Sequence, residues 1–138
     1  MATGFVTPRA LITTDTPNVF FYGDAPILLE VTIAAAAVDA RSTGETHKLQ
    51  GGLTVAKITA SGKYAEYDDG NSDGTEDAKG FLVTPVNTKI EDGTARDQIA
   101  VILIGHALID ETYVGGMDAA AKVDFEALDA GFLWDSAY

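Results

Sequence analysis

Cysteine is absent from this 138-residue chain, and several other chemical groups are scarce. Without cysteine the fold cannot depend on disulfides or on thiolate metal sites. The two histidines, His47 and His106, have no spacing that would present both to one metal ion, which argues against zinc chemistry. No apolar run approaches the roughly 18 residues of a membrane span, and the first ten residues lack the pattern of a signal peptide. We therefore expect a soluble protein that is not exported.

Basic residues are also few. Lysine and arginine total 9, against 21 aspartates and glutamates, and the formal net charge is −12. This excess of negative charge repels phosphate backbones and anionic lipid surfaces, so neither nucleic acid nor a membrane is expected as a partner. Among so many carboxylates, a close pair carries little information about glycosidase chemistry, and solubilising surface charge is the favoured interpretation.

The composition predicts one folded domain preceded by an extended arm. Hydrophobic residues make up 46% and charged residues 22% of the chain, near the averages for globular proteins. We place the domain at residues 18–138 and the arm at residues 1–17. In the arm, Pro8 and Pro17 favour extended backbone and remove hydrogen-bond donors. A frayed terminus is the alternative interpretation of the same residues.

Short runs of β-branched and aromatic residues predict a mainly β fold, a small barrel or sandwich with one short C-terminal helix. The predicted strands are residues 18–22, 27–34, 53–59, 63–67, 81–84 and 98–104. The last run is almost wholly apolar, as expected of a central strand that is covered on both faces. Ala120, Val123 and Ala127 recur at helical spacing, with Asp118 available to cap the helix and Gly131 to end it.

Two polar stretches predict loops, residues 38–50 and the acidic segment 68–74. The acidic segment matches the opening of a calcium-binding EF-hand loop at four positions. These positions are Asp69, Asn71, Asp73 and Gly74. The twelfth position of that loop is Gly80, which supplies no carboxylate, and the flanking runs predict strands where the motif needs helices. We therefore favour a solvated acidic turn that binds no metal, and we expect no cofactor elsewhere.

Catalytic motifs are not recognisable in the sequence. No serine lies in a Gly-x-Ser-x-Gly elbow that could use a histidine as its base. Gly62-Lys63 is followed by Tyr64, not by serine or threonine, and Lys57 stands where a phosphate-binding loop has its first glycine. We expect a protein that is not an enzyme and has no catalytic residues.

Five motifs follow one another in an order that is more specific than any one of them. They are Gly52-Leu53 to Lys57-Ile58, Gly62-Lys63-Tyr64, the acidic loop 67–77, Ala78-Lys79-Gly80-Phe81-Leu82, and Ala100 to Ala107. In this order they resemble the head decoration proteins of lambda-type bacteriophages, and the match extends over residues 18–133. The chain departs from the family pattern in a polar insertion at residues 39–47 and in Thr54-Val55, where a Val-Leu pair is usual.

The resemblance implies a β-rich fold with one or two small helices and a role in the virion. Proteins of this family bind the outer surface of the expanded capsid as homotrimers at local three-fold sites. There they stabilise the shell against the pressure of the packaged DNA. The implied partners are the major capsid protein and further copies of the same chain.

Two sets of site residues follow from this expectation. The arm is predicted to attach to the capsid by adding a strand to capsid chains. Its capsid-binding residues are predicted to be Phe5, Val6, Leu11 and Ile12. Aromatic and apolar residues near the C-terminus invite burial between subunits. The predicted trimer interface consists of Phe132, Leu133 and Trp134.

An alternative function from a different class is a small β-rich module that binds a ligand or carbohydrate, such as a tail or receptor-binding accessory domain of a virion. Trp134 and Tyr138 could line a sugar site. A C-terminal aromatic residue that packs on the core or on a neighbouring subunit is the favoured interpretation of these side chains.

Overall fold

The computed structural model describes residues 20–90 and 93–135 of the chain. Within these ranges the chain forms ten strands, a single-turn 3-10 helix at Glu111–Tyr113 and one α-helix. The strands are β1 (Phe21–Tyr22), β2 (Ile27–Ile33), β3 (Lys48–Leu49), β4 (Thr54–Lys57), β5 (Tyr64–Glu66), β6 (Ala78–Leu82), β7 (Val86–Asn87), β8 (Gln98–Gly105), β9 (Ala107–Asp110) and β10 (Phe132–Asp135). The helix, α1, is Ala119–Ala127.

Five strands close into a barrel in the order β2-β5-β4-β6-β8. The longest ladder is antiparallel and joins β2 to β8, from Leu28 opposite Leu103 to Ile33 opposite Gln98. β2 meets β5 at a single parallel pair, Ile33 opposite Tyr64, which completes the barrel. The predicted mainly β class with a short C-terminal helix is confirmed.

The barrel wall is buried on both faces where β4, β6 and β8 run side by side. Successive residues of a strand point to opposite faces of a sheet. The residues that point into the barrel are Val55, Leu82 and Ile102. Their neighbours Ala56, Phe81 and Leu103 point outward, into a second core. All six side chains are fully buried. The wall therefore joins two hydrophobic cores and ties the barrel to the layer outside it.

The outer layer consists of α1 and a three-stranded sheet in the order β1-β9-β10. β8 leads into β9 through His106, whose φ of 60° turns the chain sharply. Gly23 lies against this corner, where a Cβ atom would come 3.0 Å from the carbonyl oxygen of His106. The β2/β8 and β1/β9 ladders are thus two parts of one antiparallel ribbon that bends at His106. The bend folds the sheet back over the outer face of the barrel.

The helix confirms one predicted end and corrects the other. Asp118 caps α1, since its side chain accepts a hydrogen bond from the backbone N–H of Ala121 at 2.9 Å. Gly131 was expected to end the helix, but α1 ends earlier, at Ala127. Asp129 has already taken a positive φ of 55°, which stops the helix before the glycine is reached.

Other predictions also need correction. Residues 38–50 are not only a loop, because β3 lies within them and pairs with β7. Residues 98–104 are covered on both faces only in part, since the side chain of Ile99 is 68% exposed. The strand predicted at 81–84 begins earlier, at Ala78. Of the strand predicted at 18–22, the structure describes β1, and the arm at 1–17 lies outside the described residues.

Candidate functional site

All three residues of the predicted trimer interface lie in the C-terminal strand β10. It runs parallel to β9, with Leu133 opposite Leu108 and Trp134 opposite Ile109. The alternation of a strand divides its side chains between two faces. Phe132 and Trp134 face the outer core, whereas Leu133 points away from it and is 68% exposed.

The two inward residues of β10 belong to a cluster of aromatic rings built around Phe81. The ring centroid of Phe81 lies 5.4 Å from that of Phe132 and 5.0 Å from that of Phe125 on α1. Trp134 packs 5.9 Å from Phe125, and the ammonium group of Lys122 lies 5.3 Å from the centre of its ring. Phe132 and Trp134 are therefore half-buried within their own subunit. Of the three predicted interface residues, Leu133 offers its side chain most fully to a neighbour.

Leu133 lies in a row of apolar side chains that crosses the outer face of the terminal sheet. Leu108 is its neighbour on β9, and Tyr22 of β1 lies opposite Leu108 on the other side. Tyr22 is 52% exposed and Leu108 is half-buried. We call Tyr22, Leu108 and Leu133 the terminal apolar row. Tyr22 and Leu108 were not predicted as site residues, and the uniformly apolar run Ala107-Leu108-Ile109 carries no alternation that would have marked Leu108 as outward-facing.

Two hydrogen bonds from the helix hold the terminal layer against the barrel. The Tyr67 hydroxyl donates to Asp118 at 2.8 Å, and Asp124 accepts from the backbone N–H of Ala78 at 2.9 Å. Burial of the Tyr67 ring and its bond to Asp118 raise the pKa of Tyr67. The hydroxyl therefore stays protonated, and the contact between barrel and helix persists across the physiological pH range.

The acidic loop between β5 and β6 uses its carboxylates on its own backbone. Asp73 accepts from both the N–H and the hydroxyl of Thr75, and these bonds lower the pKa of Asp73. Asp68 accepts from the N–H of Gly70 at 2.9 Å. Among the described residues, no three acidic or histidine side chains converge as a metal site would require. The arrangement is a turn stabilised by side-chain to backbone hydrogen bonds.

Gly80, at the twelfth position of the EF-hand pattern, has a structural role of its own. A Cβ atom there would lie 2.5 Å from the carbonyl oxygen of Leu103. Only glycine lets β6 approach β8 this closely. The glycine of the Ala-Lys-Gly-Phe-Leu motif is thus explained by barrel packing and not by calcium.

Calcium is expected to leave the protein unchanged. Titration to about 1 mM calcium should give no saturable heat in calorimetry and no shift in melting temperature, because the loop lacks the bidentate carboxylate. Asp73→Ala should behave identically in the titration, although it removes two hydrogen bonds from the turn. Micromolar affinity that disappears in Asp73→Ala would show that the loop is a metal site after all.

The polar insertion is organised around Asp39, which is 1% exposed. Arg41 donates to both carboxylate oxygens, at 3.1 and 2.8 Å, and the N–H of Gln50 donates at 2.9 Å. Burial opposes ionisation of the carboxyl group, but these bonds outweigh it and lower the pKa of Asp39. The segment is therefore fixed to the body of the protein, which the sequence alone did not predict.

A cleft of about 700 Å³ opens beside this insertion, between β3, β7 and the 3-10 helix. Arg41 and Lys48 line it, but Arg41 is bound to Asp39, and Lys48 lies 3.0 Å from Glu45. Because both cations are already paired, the cleft offers little net attraction to an anionic ligand.

No family model and no curated protein matches this chain.

The described residues contain no helix that is long and apolar enough to cross a membrane. His106 lies at the exposed corner between β8 and β9. The predicted capsid-binding residues, Phe5, Val6, Leu11 and Ile12, lie outside the described residues, as does Tyr138.

Proposed function

We propose that this protein is a non-enzymatic head decoration protein of a tailed bacteriophage. In this role it binds the outer surface of the expanded capsid as a homotrimer at local three-fold sites and stabilises the shell. Its partners are the major capsid protein and two further copies of the chain. Neither nucleic acid nor a membrane is a partner in this proposal.

The observation that carries the proposal is where the resembling motifs lie in the fold. Gly52 to Ile58 contains β4, and Gly62-Lys63-Tyr64 forms the turn into β5. The acidic loop joins β5 to β6, and Ala78 to Leu82 is β6 itself. Ala100 to Ala107 covers most of β8 and the corner after it. The motifs therefore map onto adjoining strands of one barrel and the connections between them, which supports a shared architecture more strongly than scattered matches would.

The role fits the construction of the body. A capsid clamp needs a rigid unit, a surface for self-association and an attachment segment, and it needs no reactive group. The two cores share the wall formed by β4, β6 and β8, which supplies rigidity. The terminal apolar row offers a candidate self-association surface, and the arm is the candidate attachment segment. Weak contacts made by one subunit become strong when three act together.

Co-sedimentation with phage heads tests the proposal. Expanded heads built from the cognate capsid protein and free of decoration protein should bind the purified chain, while unexpanded heads should bind much less. Heads that have been saturated with a decoration protein beforehand provide the control. Equal binding to all three preparations, or to none, would contradict a decoration role.

Leu133→Asp is expected to break the trimer. A carboxylate in the terminal apolar row would be buried without a partner at a subunit interface, weakening association by about 2 kcal/mol or more. Light scattering after size-exclusion chromatography should show a shift toward monomer. Val123→Asp is the matched control, because Val123 is 61% exposed but lies on α1, away from the row. If both variants stay trimeric, or if the parent chain is monomeric on the capsid itself, the assignment of this surface is wrong.

The alternative, a carbohydrate-binding module, receives less support. Trp134 is one of the two aromatic residues that could line a sugar site, but its ring packs on Phe125 and Phe132. Saturable binding of a saccharide that is lost when Trp134 is substituted would favour the alternative over the decoration role.

A further inference from the structure

Within the described ranges, one edge of β2 has no strand beside it over most of its length. β8 pairs with β2 throughout, but on the other side β5 reaches only Ile33. Ala34 donates its N–H to the carbonyl oxygen of Tyr64 at 2.8 Å, so even-numbered residues of this strand turn their backbone groups toward the β5 side. Glu30 fits this pattern. It lies opposite Val101 on β8, and the carbonyl oxygen of Val101 accepts a hydrogen bond from the N–H of Val83 on the far side of β8. The backbone groups of Val101 therefore point away from Glu30, and those of Glu30 point toward the β5 side.

The open edge therefore presents the backbone groups of Leu28 and Glu30 and the N–H of Thr32, whose carbonyl oxygen faces Tyr64 in the parallel pair. Among the described residues, no other strand reaches the edge before Ile33. We call residues 28–32 on this side the open edge of β2. Unpaired strand edges accept further strands readily, and natural proteins cover or block them.

The side chains around the open edge are unusually apolar for exposed positions. Leu28 and Leu29 are 48% and 42% exposed, and Ile99 across the ladder is 68% exposed. A cleft of about 350 Å³ lies alongside, with Lys57 and Tyr64 on its far wall. The surface has the backbone groups and the apolar flanks that an added strand needs.

A second copy of β2 is a poor occupant of this edge. Antiparallel pairing of two such edges about Glu30 would bring the two glutamates directly opposite each other, and like charges in that position are destabilising. Glu30 has no ion-pair partner among the described residues. A strand that carries a positive charge is therefore the better fit.

The chain itself contains a segment with these properties. Residues 1–19 precede the described part, and fully extended they could span about 60 Å. They hold the apolar and β-branched run Leu11-Ile12-Thr13-Thr14. Arg9 is their one basic residue, and the next basic residue is Arg41. Length and strand propensity match the open edge, and Arg9 supplies the charge that suits Glu30, while Asp15 makes the segment neutral overall.

We propose that the open edge of β2 accepts residues 2–17 as an added strand when the protein is free. This inference rests on the proposed function, in which the same residues attach to the capsid. The segment then stays on the edge and covers its apolar side chains until a strand of the capsid protein pairs with the segment instead. Attachment becomes an exchange of one strand pairing for another.

Hydrogen exchange on the free protein tests the inference without any capsid. In the full chain, the amides of Leu28, Glu30 and Thr32 should exchange at least about five-fold more slowly than in a variant that lacks Ala2 to Thr16. Val31 is the internal control, since its N–H faces β8, and its exchange should change little. Equal exchange at the open edge in both proteins overturns the proposal. Protection that falls on dilution would place the segment on a neighbouring copy, and protection independent of concentration would place it on its own β2; both support occupancy of the edge.

A charge exchange identifies the segment more specifically. Arg9→Glu should speed exchange at the open edge by about two- to five-fold, as should Glu30→Arg, and the double variant should restore protection. If the double variant is no slower than the single ones, Arg9 does not lie beside Glu30, and the placement of the segment is wrong. Failure to bind heads, with protection intact, would refute the proposed function and leave the stored segment standing.

Discussion

Replacing Phe81 with alanine is expected to lower the free energy of unfolding by about 3 to 5 kcal/mol. Phe81 is fully buried in the outer core, where its ring meets Phe20 and Phe125 at centroid distances of 5.9 and 5.0 Å. Truncation removes a large apolar group from between the barrel wall and the helix. The surrounding rings come from different elements, so they cannot all collapse into the cavity.

Chemical denaturation of the variant and the parent chain measures this loss. Val123→Ala is the control, because Val123 is 61% exposed on α1 and its truncation should change stability by about 0.5 kcal/mol or less. The Phe81 variant should also unfold in a single transition if the barrel and the terminal layer are one cooperative unit. A loss below about 1.5 kcal/mol, or two separate transitions, would contradict the shared wall between the two cores.

Deleting Ala2 to Thr16 is expected to lower the affinity for expanded heads by about 100-fold or more. Each arm contributes a few apolar side chains, worth about 1.5 to 3 kcal/mol apiece at best and reduced by the entropy of ordering the segment. In the proposed trimer, three arms on one rigid unit multiply their effect. The cores should survive, because the buried clusters of the described structure involve Phe20 and later residues.

Sedimentation of heads with increasing amounts of each protein measures this affinity. A full-length variant controls for the length of the arm. It carries serine in place of the four predicted capsid-binding residues, Phe5, Val6, Leu11 and Ile12. It should bind as poorly as the deletion if apolar burial drives attachment. Undiminished binding of the truncated chain would place attachment in the folded body and leave the arm as a frayed end.

The sequence predicted the fold class well because local signals decide it. Period-two patterns and β-branched runs located most of the barrel strands, and Asp118 marked the start of the helix by its capping chemistry. The closure of the barrel was less accessible. It depends on the single pair of Ile33 and Tyr64, whose residues are far apart in sequence, and no local pattern encodes such a pairing.

The candidate site was predicted only in part for a related reason. Leu133 was named with Phe132 and Trp134 because all three are apolar, and only the pairing of β10 with β9 shows that they face opposite ways. Asp39 was placed in a polar loop, since the sequence does not reveal that Arg41 turns back to neutralise it inside the protein. Contacts set by tertiary structure decide both outcomes.

A single-particle reconstruction of expanded heads mixed with the purified chain tests the decoration role most directly. The proposal predicts density for three copies of the folded body around each occupied local three-fold axis on the outer surface. The terminal apolar rows should face one another within each set. Heads that remain bare at saturating protein, or single copies bound away from the three-fold axes, would contradict it.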